Sequence, residues 1–293
     1  MDINNAYVRD AILYYTIQQY FICNDKKTSQ FIAQLDHFKY RSGLIHNIPY
    51  LSLQLHVSEK DFYHTYLRVK ESFKTLPEDG ILVKKGDEIY SKLLAAIPTA
   101  PPYLFLKGNV YLLNEKSVSV VGSRNASKEA MKKTETLVKA LVKRNIVVNA
   151  GLAKGIDTIH QTALKNNGRT IAVIGTPINQ YYPKENKKLQ LTIEKHGLVV
   201  SQFPSCNKVY KWNFPTRNAT MSGISIATII MEAGEKSGAL RQADHCIKQG
   251  RDILIPYSLL QSSLLCPRKY IQKGAHTFKN IKEVLELLSK EID

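Results

Sequence analysis

Cysteine is scarce and dispersed in this 293-residue chain: Cys23, Cys206, Cys246 and Cys266 form no C-x-x-C pair. That scarcity excludes a disulfide framework and a zinc ribbon, and no basic-then-apolar leader opens the chain, so a reducing cytoplasm is expected. No apolar run approaches the roughly 20 residues a membrane helix needs, and no membrane association is expected. There is no Walker-type phosphate loop and no His/Cys/carboxylate cluster at metal-ligand spacing, so neither a metal nor a cofactor is expected. Repeats at solenoid periods and low-complexity tracts are missing too. Tryptophan occurs once, at Trp212.

What is present is apolar residue in quantity, 44% of the chain, enough for a large core. Positive charge is also abundant. Residues 1–97 carry 12 Lys+Arg against 11 Asp+Glu, whereas residues 98–293 carry 29 against 14. Nearly all of the net charge of +16 therefore belongs to the second part. A segment that neutralises phosphates requires such a bias, because counterion release drives that binding. The asymmetry predicts a polyanionic partner without choosing between DNA, RNA and nucleotides.

The first part reads as helices. "DAILYYTIQQYF", "TSQFIAQLDHFKY" and "SEKDFYHTYLRVKESFKTL" space their apolar residues at three and four. "IPTAPPYLFLKGNVYLL" (97–113) then brings three prolines in six residues and an expected apolar strand pair. The boundary falls there, giving a small helical domain over 1–97 and a second domain over 98–293. Beyond Ser117 the runs "VSVV", "IVVNA", "TIAVIG", "LVVSQF", "IATIIME" and "DILIPY" are joined in several places by helical stretches. Short continuous apolar runs suit strands buried on both faces, so an α/β, doubly wound, mostly parallel Rossmann-like sheet is expected. "IKEVLELLSKEI" closes the chain as an amphipathic helix, with no third domain expected after it.

In open parallel sheets ligands bind at the carboxyl ends of strands. The segments there are Gly122-Ser123-Arg124, "AGLAKGID" (150–157), "GTPINQYYPKEN" (175–186), "SQFPSCNKVYKWNFPTRN" (201–218) and "EAGEKSGAL" (232–240). Glycines such as Gly122, Gly151, Gly155 and Gly238 let backbone N–H groups approach an anion, and helix N-termini add partial positive charge. Arg124, Lys154, Lys184, Lys211, Arg217 and Lys236 gather around the same edge, with Ser123, Asn218 and Ser237 as polar neighbours. Each has a plainer reading: turn glycines, solvated lysines, His160 packed in a helix, Asp157 complementing a helix dipole. Phe214 offers a face for a base or fills the core; Trp212 is read as a core residue.

"VSVVGSR", "AGLAKGIDTIHQTALKNNGRTIAVIGTPINQYYPKEN", "FPTRN" and "MEAGEKSGAL" follow one another in the order and spacing of the DNA-processing protein A (DprA/Smf) family. The resemblance covers about residues 98–275. It implies a cytoplasmic recombination mediator, not an enzyme, that binds single-stranded DNA across the sheet edge, dimerises and loads a RecA-type recombinase. Carried over by motif, the arginine of G-S-R is Arg124 and the lysine of Y-P-K is Lys184. The lysine and phenylalanine at the F-P-x-R-N motif are Lys211 and Phe214. Arg217 is read as a phosphate contact or as a brace for its loop.

The chain departs from the family pattern at Ala219, where R-N-R is usual, and over Ser237–Ala243, Pro256-Tyr257 and Cys266–Ile271. The winged-helix module frequent at the family's C-terminus is not expected here. An alternative from another class is a nucleotide-binding or nucleotide-hydrolysing Rossmann-like protein related to phosphoribohydrolases, with Glu232 as general base. Against it, the P-G-G-x-G-T-x-x-E loop of those enzymes is missing and no paired carboxylates stand at the strand ends. A pocket for a small nucleotide signal is the third reading.

Overall fold

Side-chain caps start three of the N-terminal helices. Asn5 Oδ1 accepts from the Tyr7 amide (2.8 Å) ahead of α1 (Ala6–Tyr20), and Asn24 Oδ1 from the Lys27 amide (3.0 Å) ahead of α2 (Asp25–Gln34). α3 (Gly43–Leu55) follows, then α4 (Glu59–Lys74), whose N-cap Ser58 Oγ accepts from the Asp61 amide at 3.1 Å. The computed structural model describes residues 5–35, 43–234, 237–261 and 266–289. α3 was not legible as a helix, since Pro49 lies inside it. Burial of Ile48 and Leu51 with Leu13, Ile17 and Phe62 outweighs that local penalty.

The helices are not separate from the sheet. Tyr15 packs on Tyr103 and Phe105 (ring centroids 5.8 Å apart in both pairs) and Phe73 on Phe105 (5.9 Å), in a core that continues to Ala172, Ile174 and Val199. The sheet itself begins at β1 (Ile81–Lys84), ahead of the division expected at Ile97, and β1 pairs antiparallel with β2 (Tyr103–Gly108). Between them, α5 (Lys92–Ala95) places Leu94 in the core. The strand pair expected over 97–113 is corrected: β2 ends at Gly108 (φ +111°), and Val110–Asn114 is a 3₁₀ turn. A Cβ at Gly108 would lie 2.3 Å from the Gly197 carbonyl, so the chain must turn there.

The remaining elements alternate: β3 (Ser117–Val121), α6 (Lys128–Lys143), β4 (Val147–Ala150), α7 (His160–Lys165), β5 (Thr170–Ile174), α8 (Lys187–His196), β6 (Leu198–Ser201). Next come α9 (Asn213–Gly223), β7 (Ala227–Ile230), α10 (Gly238–Lys248), β8 (Asp252–Pro256), α11 (Tyr257–Leu260), α12 (Cys266–Gln272), β9 (His276–Phe278) and α13 (Ile281–Ser289). The sheet order is β1-β2-β6-β5-β4-β3-β7-β8-β9, parallel from β6 to β9. One face packs on α6, α7 and α13, the other on α9 and α10. This is the doubly wound Rossmann-like arrangement. After β3 the chain winds outward to β6, then returns to lay β7 on the other side of β3. The switch point therefore lies between β3 and β7, where a crevice opens at the carboxyl ends. Among the described residues no helix is long and apolar enough to cross a membrane.

Candidate nucleic-acid interface

The crevice at the switch point is a cleft of about 700 Å³, lined by Gly122, Ser123 and Arg124 after β3 and by Ser237 and Gly238 at the start of α10. Lys211, Phe214, Arg217 and Asn218 line it from the start of α9. The "FPTRN" segment is thus helical and not the loop expected. Proline is tolerated in a first helical turn, where its missing N–H has no partner to lose, and Pro215 sits there. The helix aims Phe214 into the cleft and Arg217 beneath it.

Several sequence candidates meet here and others stand beside it. Gly151 and Lys154 line a small side pocket of about 70 Å³ with Arg124, Phe214 and Tyr182. Lys184 is exposed on the turn following Pro183 and borders that side pocket without lining it. Lys154 is held by Glu185 at 2.9 Å, whereas Arg124 and Lys211 are exposed with no ion pair among the described residues. Lys236 lies outside the described residues. Gly155 lines neither pocket but supports the site from below. Its φ is +72°, and a Cβ there would meet the Ser123 carbonyl at 2.3 Å.

Arg217 has a structural place. It is 4% exposed, and its Nη1 donates to the Val173 carbonyl at 2.6 Å. Gly151 makes room for it, since a Cβ would fall 1.8 Å from that nitrogen. Asp157 is buried in the same region and its carboxyl is raised by desolvation, with Arg217 and backbone amides opposing the shift. Of the two readings for Arg217, this geometry is the brace. Gly175 plays a similar part for Phe214, whose ring would meet a Cβ there at 2.7 Å. Tyr182 packs on the same ring, centroids 5.2 Å apart, and is 52% exposed. Neither Gly175 nor Tyr182 stood out in the sequence, because their role depends on where α9 starts.

Trp212 corrects its expectation. It is 52% exposed and stacks on Tyr210 with ring centroids 4.1 Å apart and planes 8° from parallel. Phe203 and Asn207 bury the first half of the segment before α9, but Lys208, Val209, Lys211 and Trp212 are exposed, so the indole lies on the part that runs over the surface.

Groups that chemistry would need are engaged elsewhere. Ser123 Oγ accepts from the Asn125 amide at 3.1 Å. His160 is fully buried, with Nδ1 2.6 Å from Thr170 Oγ1. The Glu232 carboxylate accepts from the Ser127 amide (3.1 Å) and from Ser127 Oγ (2.7 Å) at the start of α6. No cluster of three or more potential metal ligands occurs among the described residues.

Comparison with known proteins accords with this geometry. The model of the family described as DNA recombination-mediator protein A matches residues 81–289. DNA processing protein DprA of Streptococcus pneumoniae is 38% identical over 229 residues, 78% of this chain and 79% of that protein. Its Bacillus subtilis counterpart is 34% identical over 233 residues, 78% and 77%. Among solved structures, Streptococcus pneumoniae DprA superposes with a TM-score of 0.75 at 29% identity, covering 94% of this chain and 97% of that one. Helicobacter pylori DNA processing protein A, from a study of its single-stranded DNA binding mode, gives a TM-score of 0.63 at 25% identity, covering 72% and 96%.

Proposed function

This chain belongs to the DNA recombination-mediator protein A family, and we propose that it binds single-stranded DNA in the strand-end cleft and hands the coated strand to a RecA-type recombinase. The observation that carries the reading is the convergence of Arg124, Lys211 and Phe214 on one cleft at the β3/β7 switch point. Arg124 can give two charge-assisted bonds to one phosphate, Lys211 and Lys184 add point charges, and Phe214 offers a π-face to an unpaired base. The backbone of half-buried Gly122 and exposed Gly238 and the N-terminus of α10 supply further donors for phosphate. The single-stranded DNA binding named for the Helicobacter pylori relative supports the same ligand.

The protein acts by binding, in the cytoplasm, and turns nothing over. A serine nucleophile needs a base beside it, and His160 and Glu232 are both committed to internal hydrogen bonds. It works as a homodimer paired near residues 264–278, of which 264 and 265 lie outside the described residues; α12 and β9, the edge strand of the sheet, make up most of the rest. Light scattering at micromolar concentration tests this; a monomer refutes it.

Titration with labelled single strands, duplexes and mononucleotides tests the central reading. Single strands should bind best. A mononucleotide bound as tightly as a strand, or nucleotide turnover abolished by Glu232→Gln, would favour the nucleotide readings. Filament assembly by a RecA-type recombinase should quicken on coated strands; equal rates with and without the protein would remove the loading role.

A further inference from the structure

An aromatic pair stands outside the cleft with no structural task that explains it. Trp212 immediately precedes α9, so it is anchored one residue from Asn213, which is buried, and two from Phe214 in the cleft. Tyr210 covers one face of the indole in near-parallel stacking, 4.1 Å between centroids. With Trp212 52% exposed, the indole remains open to solvent beyond that contact. Stacked together, the two rings make one contiguous aromatic face, the kind of surface that marks a contact site. Lys208 precedes the pair in the chain and Lys211 separates its two members, both exposed and without an ion pair among the described residues. An aromatic face on a segment that also carries free cations combines what holds an unpaired base with what holds its phosphates.

We propose that Trp212, backed by Tyr210, is a second base-stacking platform that takes a nucleotide of the same single strand after it leaves the cleft. The inference rests on the reading of the cleft as a single-stranded DNA site. Phe214 holds a base inside, Lys211 a phosphate at the rim, and Trp212 with Lys208 the next portion outside. Because every base has a π-face, the platform tolerates any sequence and adds affinity by lengthening the bound track. Its occupant is a strand segment and not a mononucleotide, since the position outside the cleft gains its ligand only by tethering to the nucleotides within.

The chain has one tryptophan, so its fluorescence reports on this position alone. Binding of an end-labelled oligonucleotide is followed by anisotropy while Trp212 emission is recorded in the same titration. Stacking should quench the emission in step with binding of a long oligothymidylate, and an oligonucleotide too short to leave the cleft should bind without quenching. Trp212→Ala should weaken the long strand about tenfold, leave the short one unchanged, and leave the melting temperature unaltered; Trp212→Phe should restore most of the loss. Binding of long strands with emission unchanged overturns the platform and leaves the cleft reading intact. Equal losses for short and long strands also overturn it, because the indole would then be shaping the cleft. No anisotropy change with any strand overturns both readings together.

Discussion

Two arginines at the same strand edge illustrate what a residue's environment decides. Arg124 is exposed and Arg217 is buried against the Val173 carbonyl, although motif order alone gave both a possible phosphate contact. Arg124→Ala should lower oligonucleotide affinity roughly tenfold or more, the worth of a charge-assisted hydrogen bond, with no change in thermal melting. Arg217→Met should cost about 3 kcal/mol of stability, because it leaves buried Asp157 without the nearby charge that opposes its desolvation. Paired melting and binding measurements check both; a melting loss for Arg124→Ala would make it structural. His160 carries a third expectation. Thr170 Oγ1 gives its proton to the Val148 carbonyl (2.7 Å), so His160 Nδ1 must be the donor to Thr170, and Nε2 is left as a buried acceptor with no partner. Burial first, and the Arg217 charge second, push its pKa from 6.5 down to about 3. The unfolded chain therefore takes up this proton well before the folded one. Stability from this residue is intact above pH 6.5 and falls as the pH drops from there toward about 3. His160→Gln cannot titrate and should flatten that acid limb in denaturation measured against pH; an unchanged slope refutes the assignment.

At the level of elements, short apolar runs placed β3 to β8 from sequence because strands covered on both faces need no polar alternation, and the structure buries them so. The proline-bearing helices were harder to see. α3 contains Pro49, where packing supplies what local propensity withholds, whereas α9 begins with Asn-Phe-Pro, whose proline sits in the first turn and reads in sequence as a loop. For α9 the consequence reaches the site: the helical turn, and not loop sequence, sets Phe214 over Gly175 and leaves Trp212 outside. Glu232 shows the same limit. At a strand end it reads as a general base, yet it joins β7 to α6 by accepting from the Ser127 amide and hydroxyl, while Ser127 Oγ accepts from the Ala130 amide at 3.1 Å. A carboxylate there also meets the positive end of the helix dipole. Glu232→Gln should cost about 1 kcal/mol in stability and leave single-strand binding undiminished. Melting and anisotropy together test this, and a loss of binding without a loss of stability would return Glu232 to the ligand site.

Across the whole molecule the charge bias of residues 98–293 becomes a quantity once the structure separates engaged cations from free ones. Lys154 is paired with Glu185, Lys107 with Asp79 and Glu194, and Arg169 with Glu115, so these cations, already offset within the net charge of +16, are not the ones a strand would meet. Around the cleft and its approach, Arg124, Lys184, Lys208 and Lys211 are exposed and unpaired among the described residues. If these neutralise about four phosphates, counterion release from a single strand gives log affinity a slope near −3 against log salt, so a fourfold rise in salt weakens binding about 50-fold. Affinity measured across that range checks the count, and a flat response would mean the bias serves no phosphate track here. The same measurement separates the two kinds of contact along the strand. Lys211→Ala removes a released counterion, so the slope should become shallower by about 0.7, whereas Trp212→Ala removes stacking and should shift the line down with its slope unchanged. A shallower slope for Trp212→Ala would show that the indole positions Lys208 or Lys211 instead of holding a base.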